Sequence, residues 1–111
     1  MKAADIALTI IPQDRQQKKR PVLILKIFPK YNDLLVCAIS SQLHQEVPGF
    51  DLLLEDSHPA FIDSGLKTSS IFRLGTLAVM PRGQIIGTIG SLKQDLYEKI
   101  IQNLTNFLLS K

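Results

Sequence analysis

Residues 19–41 read KRPVLILKIFPKYNDLLVCAISS. Two apolar runs, Val22-Leu23-Ile24-Leu25 and Leu34-Leu35-Val36-Cys37-Ala38-Ile39, flank Phe28-Pro29-Lys30-Tyr31-Asn32-Asp33, whose proline, asparagine and aspartate favour a turn. Short runs rich in β-branched residues suit a pleated, half-buried surface, so this stretch reads as strand, turn, strand. Upstream, Ile6-Ala7-Leu8-Thr9-Ile10-Ile11 is a further strand, and the polar run Gln13–Arg20, set between Pro12 and Pro21, is an exposed loop joining the two. Downstream, Asp51–Leu54 reads as a fourth strand, and Glu55–Thr68 wanders through Pro59, Gly65 and two serines. Ser69–Leu74 and Leu77–Met80 then close the β region, with Gly75, Pro81 and Gly83 as punctuation.

After that the period changes. Leu96, Tyr97, Ile100, Ile101, Leu104, Phe107 and Leu108 fall at steps of one, three and four, which lays one apolar face along an α-helix. Ser91 followed by Gln94 matches a capping box, which predicts a helix start near Leu92. Five or six short strands and one amphipathic helix make a mainly β fold, a small curled sheet or barrel with the C-terminal helix packed on it.

The 111 residues suit one domain spanning 1–111. With 45% hydrophobic and 21% charged residues the chain can fill a core, which argues against wholesale disorder. The longest apolar runs fall far short of the roughly 20 residues that cross a bilayer, and Met1–Ile11, broken by Asp5, has too short an apolar region for a secretory signal. A cytoplasmic protein without membrane contact is the expectation. Cys37 is the only cysteine, so no internal disulfide forms, and its strand-like surroundings make it a small buried hydrophobe.

The net charge of +3 is unevenly spread. Residues 1–30 carry seven basic side chains against Asp5 and Asp14, residues 31–66 carry six acidic ones and no lysine or arginine, and the remainder is basic again. A basic segment can attract a polyanion such as nucleic acid, and it can equally be a solvated face. No phosphate-cradling glycine loop, no His or Cys cluster at metal spacing and no Gly-x-Ser-x-Gly elbow is present, so neither a metal site nor a cofactor is expected. His44 and His58, both in expected loops, are the side chains whose ordinary titration lies near neutrality.

Two local features suit phosphate. Arg20 ends the basic loop and is followed by Pro21, which would hold a planar five-donor guanidinium in a defined place at a strand start. Ser40 and Ser41 follow Leu34–Ile39, where their hydroxyls can donate to a phosphate oxygen at the sheet end. Taken alone, an exposed arginine and a serine turn account for these residues equally well.

Further residues bring in a family. Asp5-Ile6 opening a strand, a polar loop, Lys19-Arg20-Pro21-Val22-Leu23-Ile24-Leu25, a strand ending Ala38-Ile39-Ser40-Ser41, and Ser64-Gly65-Leu66-Lys67 before Ser70 together resemble the PemK/MazF toxins over about residues 4–100. The resemblance implies a small SH3-like β-barrel of the PemK/MazF/CcdB type with a C-terminal helix, a homodimer, and a sequence-selective, metal-independent endoribonuclease that cuts single-stranded mRNA and is neutralised by a cognate antitoxin. It places Arg20 and Ser40 as catalytic residues, with Arg20 stabilising charge on phosphorus and Ser40 orienting the phosphate. Arg15, Lys18, Lys19, Ser41 and Arg73 become RNA contacts; the resemblance gives no role to His44, four residues after Ser40, which its own chemistry makes a candidate acid or base.

The chain departs from the family at two points. Ala4-Asp5 stands where Gly-Asp is usual, and Gly75-Thr76 where some members carry an acid followed by glutamine. Loss of that acid favours an alternative, a weakly catalytic or inactive barrel that binds RNA or antitoxin; a gyrase-binding toxin of the related fold is a third reading. Dimerisation has a physical motive as well. Ile71-Phe72, Leu77–Met80 and Leu104–Leu109 hold more apolar side chains than one small core easily hides.

Overall fold

The computed structural model describes residues 1–10 and 18–111. Six strands, β1 (Asp5–Ile10), β2 (Lys19–Ile27), β3 (Leu34–Ser40), β4 (Leu52–Leu54), β5 (Ser70–Met80) and β6 (Ile85–Ser91), form one antiparallel sheet in the order β4-β5-β3-β2-β1-β6. A single-turn helix, α1 (Phe61–Ser64), lies between β4 and β5, and α2 (Gln94–Leu109) follows β6. Residues 11–17, which include Arg15 and most of the expected first loop, lie outside the described residues.

All four residues Val22–Leu25 are buried, so β2 is covered on both faces. Successive side chains of a strand point to opposite faces. Leu23 and Leu25 therefore join Cys37, Ile39, Phe72 and Leu74 on one face, and Val22 and Ile24 join Ala7, Leu34, Val36 and Met80 on the other. The first cluster is the one α2 caps, with Ile100 and Leu104 buried in it. Removing each of those side chains from water contributes about 1.5–3 kcal/mol. Two polar pins set the helix on the sheet: Tyr97 donates its hydroxyl to the Leu25 carbonyl (2.7 Å), and Asn103 Nδ2 donates to the Phe50 carbonyl (3.0 Å). Partial burial of Tyr97 raises the pKa of its phenol. The Cys37 thiol is pushed up to about 12 by burial, so it stays protonated at neutral pH and serves as the small hydrophobe expected of it.

The mainly β architecture with a C-terminal helix is as expected, and three details differ. First, Ser69–Leu74 and Leu77–Met80 are a single strand that runs through Gly75. Its register against β3 jumps from Ala38↔Arg73 to Cys37↔Leu77, which leaves Leu74-Gly75-Thr76 as a bulge. Asp51 holds that bulge from outside the sheet: its buried carboxylate accepts the N–H of Leu74 through Oδ1 (3.0 Å) and of Val47 through Oδ2 (2.9 Å).

Second, β6 is a strand over residues to which the sequence pattern assigns no element, because Gly87 and Gly90 interrupt its apolar pattern. Gly90 is required there, since a Cβ would overlap the backbone of Asp63 and Ser64. Third, the helix starts at Gln94 rather than near Leu92. Ser91 is paired with Asp5 in the sheet and the Leu92 N–H donates to the Ala4 carbonyl (2.8 Å), so the ladder takes the residues the capping box needs. Gln94 instead donates to Glu98 Oε1 (3.2 Å).

The sheet curls until its β6 edge meets α1. At the helix C-cap, Gly65 adopts φ 72°, and a Cβ on it would overlap the Ile89 carbonyl oxygen of β6. Among the described residues no strand ladder joins β6 to β4, so a helical turn closes the curl. The apolar surplus is narrower than the sequence suggested. Ile71 and Phe72 are fully buried, whereas Leu77, Val79, Phe107, Leu108 and Leu109 remain exposed, with Phe107 in tilted contact with Phe50 at 5.0 Å between centroids. Among the described residues no helix is long and apolar enough to cross a membrane.

Candidate functional site

The start of β2 and the end of β3 meet at one margin of the sheet. Val22 pairs with Ala38, and the same register carried two residues further sets Arg20 across from Ser40. Both side chains line a cleft of about 650 Å³, within the size range of small-ligand sites. One wall is Lys19–Val22 with Ala38–Gln42, and the other is Gly65–Thr68 with Ile89. Leu8, Pro21, Leu66 and Ile89 make much of its lining apolar.

The second wall exists because of the curl. The segment after α1 leaves β6 at Gly65 and enters β5 at Ser70, so it crosses the open side of the sheet between those two strands. Ser64 is fully buried; its hydroxyl donates to the Phe61 carbonyl and accepts the Leu66 N–H at 3.2 Å. Beside it, Lys93 Nζ reaches Asp63 Oδ2 at 2.7 Å, and that carboxylate, by hydrogen bond and by charge, raises the Lys93 pKa. The pair is half exposed and adds little to stability.

Of the residues singled out from sequence, Arg20, Ser40, Lys19 and Ser41 come together in the cleft. Ser40 Oγ accepts the Gln42 N–H (3.0 Å), which fixes the side chain and leaves its own hydrogen to donate to a bound oxygen. Lys18 is exposed just before β2 and is not part of the lining. Arg73, half-buried on β5 opposite Ala38, and His44, exposed in a 3-10 turn over Leu43–Gln45, also lie off the lining. Arg15 falls outside the described residues. His58 has a local task, its Nδ1 accepting the Ala60 N–H at 2.9 Å.

The structure adds Gln42, Lys67 and Thr68 to the lining. Gln42 directly follows Ser41, whereas the only sequence trace of Lys67 is the Ser64–Lys67 stretch, because the contact that brings it to the cleft is made with residue 89. No aspartate, glutamate or histidine lines the cleft among the described residues, and no cluster of three metal-ligating side chains is found among them either. Cations and hydroxyl donors beside apolar lining suit an anion that carries a flat apolar group, which describes a nucleotide.

Comparison with known proteins bears on the fold and the family. In a search of the solved structures, the Mycobacterium tuberculosis toxin MazF-mt6 superposes with a TM-score of 0.71 at 19% identity, covering 96% of this chain and 99% of that one. An endoribonuclease in complex with its cognate antitoxin from a mycobacterial species gives 0.69 at 12% identity, covering 100% and 98%. At these identities the likeness is one of fold. No curated protein matches the chain significantly. The sequence pattern of the PemK-like, MazF-like toxins of type II toxin-antitoxin systems, by contrast, matches residues 2–108, which is nearly the whole chain, and the protein belongs to that family.

Proposed function

We propose that the protein is the toxin of a type II toxin-antitoxin pair and cuts single-stranded mRNA without a metal ion. The observation that carries this reading is the convergence of Arg20 and Ser40, from neighbouring strands, on one cleft. In the reaction, the ribose 2′-oxygen loses its proton and attacks phosphorus, the bond from phosphorus to the 5′-oxygen breaks, and that oxygen takes up a proton. The products are a 2′,3′-cyclic phosphate and a 5′-hydroxyl. Arg20 stabilises the extra negative charge on the phosphoryl oxygens, and Ser40 donates a hydrogen bond that fixes their orientation. Lys19 adds salt-sensitive attraction to the backbone.

The test is incubation of purified protein with a long RNA in EDTA, followed by mapping of the ends. Discrete cuts with cyclic phosphate and 5′-hydroxyl termini are expected. Cuts that require added metal would refute the mechanism. Intact RNA would favour the second reading, an RNA- or antitoxin-binding barrel without turnover, which the lack of a carboxylate or imidazole among the described lining residues supports.

A second copy of the chain is the proposed cover for the exposed Leu77, Val79 and Phe107–Leu109. Val79→Lys is expected to shift the protein from dimer to monomer in sedimentation velocity. A Val79→Lys protein that keeps the wild-type sedimentation coefficient would place the interface elsewhere. The cognate antitoxin, the expected protein partner, would be a segment that folds on binding.

A further inference from the structure

The chain between Gly65 and Ser70 is tied at both ends and carries one cation at its crest. At the leading end, Gly65 sits against the Ile89 carbonyl and the buried Ser64 hydroxyl accepts the Leu66 N–H. At the trailing end, Ser69 Oγ accepts the Asp56 N–H (2.8 Å) and Ser70 Oγ donates to the Thr68 carbonyl (2.8 Å). Lys67 lies between these ties, exposed and lining the cleft. It has no carboxylate within ion-pairing distance among the described residues, and the acid nearest in sequence, Asp63, is engaged by Lys93. A lysine on a braced backbone, facing a cleft and lacking an internal partner, loses less freedom on meeting an anion than one on a loose loop would.

We propose that Lys67 is a second phosphate anchor. It holds the RNA backbone at a phosphate neighbouring the one at Arg20 and Ser40, so that the intervening base lies against the apolar lining formed by Leu8, Pro21, Leu66 and Ile89. This rests on the RNA reading above and deepens it. Lys67 touches a phosphate that does not react, so it contributes equally to ground state and transition state, and its loss appears in KM.

The experiment compares wild type, Lys67→Ala and Lys67→Arg on a short fluorescent single-stranded RNA over a range of salt. For Lys67→Ala, KM is expected to rise about tenfold, the size of one charge-assisted hydrogen bond, while kcat changes by less than about twofold. The slope of log KM against log salt is expected to flatten by about 0.7, one phosphate contact on a single strand. Lys67→Arg keeps the charge and is expected to retain wild-type KM within about threefold. The thermal midpoints of both variants should equal wild type, because the side chain has no ion-pair partner to lose among the described residues. Unchanged KM and slope in Lys67→Ala, or a fall in kcat at constant KM, would overturn the anchor.

Should wild type fail to cut RNA, the nuclease reading fails by itself, and fluorescence anisotropy on the same RNA decides the anchor. Weaker, less salt-dependent binding by Lys67→Ala supports it. Equal binding by the two proteins, or no binding by wild type, removes it.

Discussion

Arg20→Ala protein, mixed with single-stranded RNA in EDTA, is expected to cut at least about 10³-fold more slowly than wild type, a loss of about 4 kcal/mol of transition-state stabilisation. The size follows from the site. Arg20 and Ser40 line the same cleft, whose lining is largely apolar and holds no carboxylate among the described residues. Charge that builds up on phosphoryl oxygens during attack there has the guanidinium as its principal counter-charge. Arg20 is exposed, so its replacement leaves the core intact, and circular dichroism and the thermal midpoint should stay close to wild type. Arg20→Lys keeps the charge but loses the planar pair of donors, and should recover only part of the rate. Ser40→Ala removes one neutral donor together with the acceptor of the Gln42 N–H, and a drop nearer tenfold is expected. A folded Arg20→Ala protein that retained wild-type cleavage would remove the catalytic assignment altogether.

Gly65→Ala should produce the largest loss of stability. Two costs fall on one residue. A φ of 72° is left-handed, which costs an alanine about 1–2 kcal/mol, and the added Cβ would overlap the Ile89 carbonyl oxygen, part of the backbone that closes the curl. Relief requires α1 and β6 to part, so a total of several kcal/mol is expected, a large share of the roughly 5–15 kcal/mol that a domain has. Two other glycines separate the costs. Gly49 has φ 78° and nothing within 4 Å of its virtual Cβ, so Gly49→Ala should show backbone strain alone. Gly90 has no positive φ but no room either, its Cβ overlapping Asp63 and Ser64, so Gly90→Ala should show steric overlap alone. Urea midpoints for the three variants should rank Gly49→Ala mildest and Gly65→Ala worst. A Gly65→Ala protein as stable as Gly49→Ala would mean that the α1–β6 contact yields without cost.

How much could be read in advance follows from where each signal lies along the chain. The runs at Val22–Leu25 and Leu34–Ile39 carry their own pattern, and β1–β3 formed where their residues indicated. β6 did not show itself, because the glycines that let Ile89 and Gly90 approach residues 63–65 also break the apolar run that marks a strand. The two halves of β5 looked separate because Gly75 reads as a break. What makes the strand continuous across its bulge is the Asp51 carboxylate, which lies 23 residues from Leu74. The helix start was misplaced for a similar reason, since Ser91 is committed to Asp5 on the far side of the sequence.

The site divides along the same line. Arg20 and Ser40 sit at the ends of strands with strong local patterns, so a resemblance anchored on those strands singles out both, and both line the cleft. Lys67 and Thr68 become cleft residues through a contact with β6 that no local rule reports. Arg73 and His44 show the reverse. Each lies close in sequence or register to the cleft, yet strand direction and the turn after Ser40 carry them off its lining.

The closing contact between α1 and β6 also sets the order in which the cleft can be made. Leu8, Arg20 and Ser40 belong to the first half of the chain, whereas Ile89 and the β6 edge that supports Gly65 arrive near its end. During translation the first three strands can pair while the second wall still lacks its support. The cleft is therefore completed only once β6 has emerged, well after the strands that carry Arg20 and Ser40.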